Sequence, residues 1–289
     1  MDTLKITDVR VQQGDSAFLI DDGTTSILYD TGFGFTGFAV ADNIRKQLGD
    51  RSLDYIFLTH SHYDHALGSA YILRRYPEAK VVAGVYAADI FKREGAKKVM
   101  KELDAKFAAR CGVTDYEFLG VELRVDIAAK DGDIIDTGSM SFKVLDLPGH
   151  TKCSVGFYCE ERSLMLSSET IGVYDGGEII VPSYLVGYQM SLDSIDKVTA
   201  LKIDRLLSPH LGILDEKQTE YFLSHTKSAN EAAAQFFIDR IRSGMSDEMI
   251  IEEFKAKYRQ GYIRDIYPED AINLNTSIMI GLIRKEFGL

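Results

Sequence analysis

The order of elements legible in this 289-residue chain predicts an α/β fold, a layered sandwich of sheets covered by helices. Three observations predict it. Short strands open the chain, strands and helices intermingle as far as residue 210, and nearly pure helix closes it. A hydrophobic content of 45% is enough to fill a substantial core without disulfide staples.

Residues 4–11, 17–20 and 25–29 read as strands, separated by the turn signals Gly14-Asp15 and Asp21-Asp22-Gly23. After Asp30-Thr31-Gly32 the pattern becomes helical around 39–48, and a compact apolar strand, 55–58, runs directly into Thr59-His60. Apolar residues at three- and four-residue spacing predict helices over 66–75 and 85–110. Strands are expected again at 121–127, 141–147, 154–159 and 163–167, and helices at 216–241, 247–258 and 268–287. Ser246 suits the N-cap of the second terminal helix, with Asp247 and Glu248 in its first turn, and Pro268 suits the first turn of the third. The expected division is a sandwich over 1–215 and a helical appendage over 216–289. There is no internal repeat; Asp30-Thr31-Gly32 and Asp136-Thr137-Gly138 match only as tripeptides.

Composition argues against several functions. The chain has 33 Lys and Arg against 44 Asp and Glu, a net charge of -11, with no basic run of five or more, so nucleic acid is not an expected partner. Three cysteines, Cys111, Cys153 and Cys159, form no CxxC pair and no disulfide framework, which fits a reducing cytoplasm. The first twenty residues lack a basic segment followed by a continuous apolar one, so no export signal is read, and no run of about 18 apolar residues predicts a membrane span.

The chemistry concentrates in Thr59-His60-Ser61-His62-Tyr63-Asp64-His65, which holds half of the six histidines. At an extended strand end His60 and His62 project to one side, because side chains alternate with period two. Asp64 and His65 follow where the chain turns toward the helix near Ala66. One short segment can thus serve two adjacent metal ions.

This HxHxDH pattern resembles the metallo-β-lactamase superfamily, and the resemblance runs from the first strands to about His210. It implies the αββα four-layer sandwich of that family. It also picks out His150 in Leu147-Pro148-Gly149-His150-Thr151, Glu169 after the hydrophobic strand ending Leu166-Ser167, and His210 in Ser208-Pro209-His210-Leu211-Gly212. By that likeness His60, His62 and His150 hold one divalent ion, Asp64, His65 and His210 hold a second, and Glu169 bridges them. Zinc is the expected metal, with iron or manganese as alternatives that such ligands also accept. Here the sequence departs from the commoner pattern, which has Gly-Asp where this chain has Ser168-Glu169; the extra methylene alters reach. Asp175 and Glu178 are the substitutes should Glu169 not serve.

Asp30 resembles a buried acid of the family that orients a ligand histidine, a plain turn aspartate being the competing reading. His225 lies in a helical pattern with no other ligand at helical spacing and is read as structural, and Cys153 as a buried thiol. Tyr184, Tyr188, Tyr258, Tyr262 and Tyr267 are candidates for the pocket mouth, with packing as the competing role.

Two divalent ions lower the pKa of a shared water so that hydroxide exists near neutral pH, and they polarise a substrate oxygen. Five neutral imidazoles, two carboxylates and a hydroxide would leave a formal charge of roughly +1 to receive an oxyanion. Asp64 is the catalytic residue expected to hold the attacking oxygen and pass on a proton. The resemblance is strongest to glyoxalase-II-like, lactonase-like and quinolone-response-effector-like members, which implies hydrolysis of a small ester, thioester or lactone. The lactone is disfavoured, because the tyrosine expected three residues after the bridging carboxylate is replaced by Gly172. A phosphodiester hydrolase with the same site, and a ligand-sensing or protein-interaction effector with weak hydrolytic activity, are the alternatives. The terminal helices are expected either to cap the site or to form the interface of a homodimer.

Overall fold

Phe18, Leu19, Ile20, Ile27, Leu28, Tyr29, Ile56 and Phe57 are all buried because their strands form the interior of one twisted sheet. In the computed structural model, which describes residues 4–289, the chain divides into two units. The first runs to Asp146 and takes in Val155–Glu161; the second comprises Leu147–Ser154 and Arg162–Leu289.

In the first unit β1 (Lys5–Asp8), β2 (Phe18–Asp21) and β3 (Ser26–Tyr29) form an antiparallel meander. β4 (Tyr55–Phe57), β5 (Lys80–Gly84) and β6 (Ile127–Ala129) continue it in parallel. Parallel strands are covered on both faces, which is why Ile56-Phe57-Leu58 and Val81-Val82-Ala83 read as unbroken apolar runs. A second meander, β7 (Ile134–Asp136), β8 (Ser141–Asp146) and β9 (Val155–Cys159), packs against the first. Phe57 marks the contact: its ring centroid lies 5.2 Å from that of Phe142 and 4.6 Å from that of Phe157. Burying each such ring contributes about 1.5–3 kcal/mol.

α1 (Gly37–Leu48) and α3 (Gly68–Arg75) pack together, and between β4 and α3 lies the single turn α2 (Tyr63–Ala66). The helix expected over 66–75 therefore begins earlier and breaks at Leu67. Leu67 keeps helical dihedrals, but Gly68 N donates to the Gly32 carbonyl at 3.1 Å instead of continuing the ladder, and a Cβ on Gly68 would stand 2.0 Å from the Thr31 carbonyl oxygen, so glycine lets α3 seat on the turn after β3. The helix expected over 85–110 likewise divides, into α4 (Val85–Ile90) and α5 (Glu94–Arg110), with Arg93 extended between them. The strand expected at 121–127 is a helical turn at Gly120–Glu122, and only Ile127 onward pairs.

In the second unit β10 (Leu164–Leu166) pairs in parallel with β13 (Arg205–Ser208), which forms a hairpin with β14 (Gly212–Ile213). β11 (Val173–Tyr174) and β12 (Ile180–Val181) make a separate hairpin, followed by α6 (Tyr188–Thr199). The helices α7 (Glu216–Arg242), α8 (Asp247–Tyr258), α9 (Gly261–Ile266) and α10 (Glu269–Phe287) belong to this same unit. Asp215 and Gln218 close a reciprocal capping box at the start of α7. Ser246 caps α8 as expected, accepting from Met249 N, and Pro268 stands just before α10. The apolar stripes are covered within the unit: Phe222 stacks on Tyr174 at 5.0 Å, and Phe237 on Phe254 at 5.3 Å.

Candidate metal centre

In the first unit the apolar strand β4 ends at Phe57 and delivers an extended chain into His60. Val155 N donates to the Thr59 carbonyl at 2.8 Å and fixes that segment against the second meander. The His60 ring then lies 4.5 Å from that of His62 and 4.1 Å from that of His65, centroid to centroid. Asp64 and His65 fall inside α2, whose first turn brings the Asp64 Oδ2 to 3.7 Å from His65 Nε2. His65 is fully buried, whereas the Asp64 side chain keeps 21% of its exposure and can meet a ligand.

What orients these rings is Asp30, which is buried and holds φ 50°, a left-handed conformation uncommon outside glycine. Its Oδ2 faces His65 Nδ1 at 2.8 Å and accepts from Ser16 Oγ at 3.0 Å, and its Oδ1 accepts from Thr59 N at 2.9 Å. The Thr59 hydroxyl lies 3.0 Å from Asp30 Oδ1 and 3.0 Å from His60 Nδ1. The family likeness of Asp30 is therefore matched by its contact, and the plain turn aspartate is set aside. With Nδ1 engaged on both rings, Nε2 is the nitrogen presented to a metal.

In the second unit His150 follows Gly149, whose φ of 143° and lack of a side chain let the loop lie against α6; a Cβ there would stand 2.1 Å from Ser191 Oγ. Ser194 Oγ donates to the Pro148 carbonyl at 2.7 Å, and Thr170 Oγ1 to the Leu147 carbonyl at 2.7 Å. His150 Nδ1 lies 2.9 Å from the Ser183 carbonyl and 2.8 Å from its hydroxyl, so here too Nε2 is left for a ligand role. Glu169 opens a short helical turn after β10. Its Oε2 lies 3.0 Å from His150 Nε2, and its Oε1 lies 3.3 Å from His210 Nε2. His210 sits at the tip of the β13–β14 hairpin with φ 64°. Burial alone would raise the Glu169 carboxyl, but the positive field and hydrogen bonds of His150 and His210 hold it well below the ordinary carboxylate range.

The donor chemistry fits divalent metal: His and carboxylate side chains, largely buried, with the ring nitrogens oriented by backbone, hydroxyl and carboxylate partners. A model of the metallo-beta-lactamase superfamily matches residues 12–210. The chain belongs to that superfamily. Its members are metal-dependent hydrolases, and the fold expected from the sequence, mixed sheets covered by helices with a helical C-terminal region, is the family's own. A metallo-beta-lactamase fold-containing protein from Sulfurisphaera tokodaii is 23% identical over 72% of this chain and 77% of its own length. A hydroxyacylglutathione hydrolase from Francisella tularensis is 28% identical over 56% of this chain, which spans about half (52%) of that relative. The crystal structure of a metallo-beta-lactamase family protein from Thermus thermophilus superposes with a TM-score of 0.67 at 17% identity, covering 100% of this chain and 95% of that one.

Other sequence candidates separate clearly. His225 lies exposed on α7, stacked on Tyr221 at 4.1 Å, and Cys153 is a buried thiol beside Thr151. Asp175 accepts from Gly177 N and Ile179 N in a turn of the β11–β12 hairpin, while Glu169 is the carboxylate that meets His150 and His210. Of the five tyrosines, Tyr184, Tyr188 and Tyr258 are buried in packing, but Tyr262 donates to the His210 carbonyl and Tyr267 lies 3.0 Å from Glu169 Oε1. Sequence reasoning missed Ser183 and Thr59. Thr59 had a signal, as the residue between a strand and a ligand; Ser183, 33 residues from His150, had none.

Proposed function

We propose that the two donor sets form one dinuclear centre in a hydrolase of small esters and thioesters. His60, His62 and His150 would hold one ion and Asp64, His65 and His210 the other, with Glu169 between them. The family model takes in both sets, since it extends from residue 12 to His210. The observation that carries the reading is the preparation of Glu169, an ionised, buried carboxylate with one oxygen on each of two imidazoles. Burying a carboxylate costs several kcal/mol unless charge compensates it, so two imidazoles converging on one buried glutamate favour a site over simple packing.

Bound divalent ions, zinc first among them, would supply Lewis acidity and lower the pKa of the attacking water. Asp64 would be the residue to hold a water through a carboxylate oxygen and take up its proton, a task that its partial exposure permits. Asp30 engages His65 Nδ1, which would leave Nε2 as the nitrogen able to hold an ion. The helices from 216 onward cap the site and favour small substrates, a reading supported by the hold of Tyr262 and Tyr267 on two of the ligands. A thioester leads among substrates, because a relative bears the name hydroxyacylglutathione hydrolase and an acyl-glutathione is a thioester.

The test is a panel of acyl-glutathione, acyl-carrier and simple aryl esters, phosphodiesters and lactones, assayed with metal-replete protein. Turnover of thioesters or esters that is lost in Asp64→Ala is the expected result. Phosphodiester turnover, or none on any member, would overturn the reading.

A further inference from the structure

The segment joining α8 to α10 makes two contacts that packing alone does not require. Tyr262, in α9, donates its hydroxyl to the carbonyl of His210, and Tyr267, at the C-terminal end of α9, places its hydroxyl 3.0 Å from Glu169 Oε1. Both targets are residues the superfamily pattern marks as ligands, and Oε1 is the oxygen on the His210 side of the carboxylate. The segment is itself held firmly. Ile263 and Ile266 are buried, Tyr267 N donates to the Ile263 carbonyl at 2.9 Å, and Arg259 Nε donates to the Tyr267 carbonyl at 2.9 Å.

We propose that Tyr267 is a positioning residue of the metal centre, its hydroxyl fixing the Glu169 carboxylate so that Oε1 is presented on the His210 side. The need arises from the side chain. Glutamate has one more rotatable bond than the aspartate common at this place, and an unsupported carboxylate at its end samples more rotamers, an entropy that metal binding would have to overcome. A carboxylate oxygen has two lone pairs, so Oε1 can accept from Tyr267 and still face an ion. Tyr262 does the corresponding work on the backbone, holding the carbonyl of a residue that keeps the left-handed φ of 64°. The terminal helices are thereby part of the centre's construction.

This inference rests on the dinuclear reading above, and its test separates the two. Full-length Tyr267→Phe is loaded with zinc beside wild type and titrated with a chromophoric chelator, with Tyr258→Phe, a buried tyrosine packed on Phe254, as the control. The expected result is a 10- to 100-fold weaker hold on zinc in Tyr267→Phe, no change in Tyr258→Phe, and a fall in kcat with KM within about twofold. In a Glu169→Asp background the shorter carboxylate no longer reaches the hydroxyl, so the same Tyr267→Phe change should cost less than about twofold in zinc retention. Wild-type zinc retention in Tyr267→Phe would overturn the proposal, as would an equal loss in the Glu169→Asp background. A protein that holds zinc through Tyr267 but hydrolyses no ester or thioester would leave this role standing and remove the proposed activity.

Discussion

Asp30 Oδ2 stands 2.8 Å from His65 Nδ1, with both side chains fully shielded from solvent. Because the same carboxylate also takes the amide and hydroxyl of Thr59, one buried charge sets the direction of two rings, His60 and His65. Asp30→Asn removes the charge and confuses the donors, so metal affinity or activity should fall about 10- to 100-fold. Circular dichroism should be nearly unchanged. Wild-type metal retention and rate in the Asp30→Asn protein would show that His65 needs no charged partner.

The histidine-rich segment was legible in the sequence because it is local: the apolar run ending at Leu58, then His60 to His65 close together along the chain. Asp30 was legible only through family likeness, since its partner lies 35 residues away. What escaped depends on tertiary packing. β5 is five residues, Lys80–Gly84, between two helices, too short for periodicity to announce. α6 buries Ser191 and Ser194 among Leu192, Ile195 and Val198, and those small polar residues blur its apolar stripe. The division after Ala66 goes with the hydrogen bond from Gly68 N to the Gly32 carbonyl, a contact invisible along the chain. The terminal helices were plain as amphipathic segments, but which tyrosines reached His210 and Glu169 was not, because that is set by how α9 lies.

Burial raises two carboxyls near the ligand loop, Asp15 and Asp104, each to about 6. Hydrogen bonds oppose the shift, from Phe33 N on Asp15 and from the Tyr116 hydroxyl and Gly34 N on Asp104, without cancelling it. An unfolded aspartate titrates near about 3.9, so the folded chain binds these protons more tightly. Their stabilising contribution is complete below about pH 4 and is lost as pH rises through about 6. Thermal melts of Asp104→Asn across about pH 4 to 7 should show a weaker decline over that window than wild type. Parallel curves would contradict the assignment for Asp104.

Gly149 carries a φ of 143° with Ser191 Oγ 2.1 Å, and Ser191 Cα 2.8 Å, from where a Cβ would sit. Gly149→Ala must move backbone of α6 or of the His150 loop, at a cost of about 1–3 kcal/mol. Hydrolysis should fall more than stability suggests, since His150 moves with its neighbour. Chemical denaturation and kinetics on one preparation check both, and full activity with unchanged stability in the Gly149→Ala protein would refute the argument.

Substitutions at the proposed ligands themselves should be graded. His62→Ala and Asp64→Ala should abolish hydrolysis with helical content retained, because neither side chain belongs to the buried core. Glu169→Asp should be milder than Glu169→Ala, since a carboxylate remains between His150 and His210. Rates within a few fold of wild type for Asp64→Ala would place the chemistry elsewhere.

The measurement that bears most directly on the whole account is elemental analysis of the folded, full-length chain after growth in metal-replete medium. The proposed dinuclear centre, with donor sets of His60, His62, His150 and Glu169 and of Asp64, His65 and His210, predicts close to two transition-metal ions per chain, falling to about one or fewer in His210→Ala. A well-folded protein that carries none and takes up none from added zinc, iron or manganese would contradict the dinuclear centre outright.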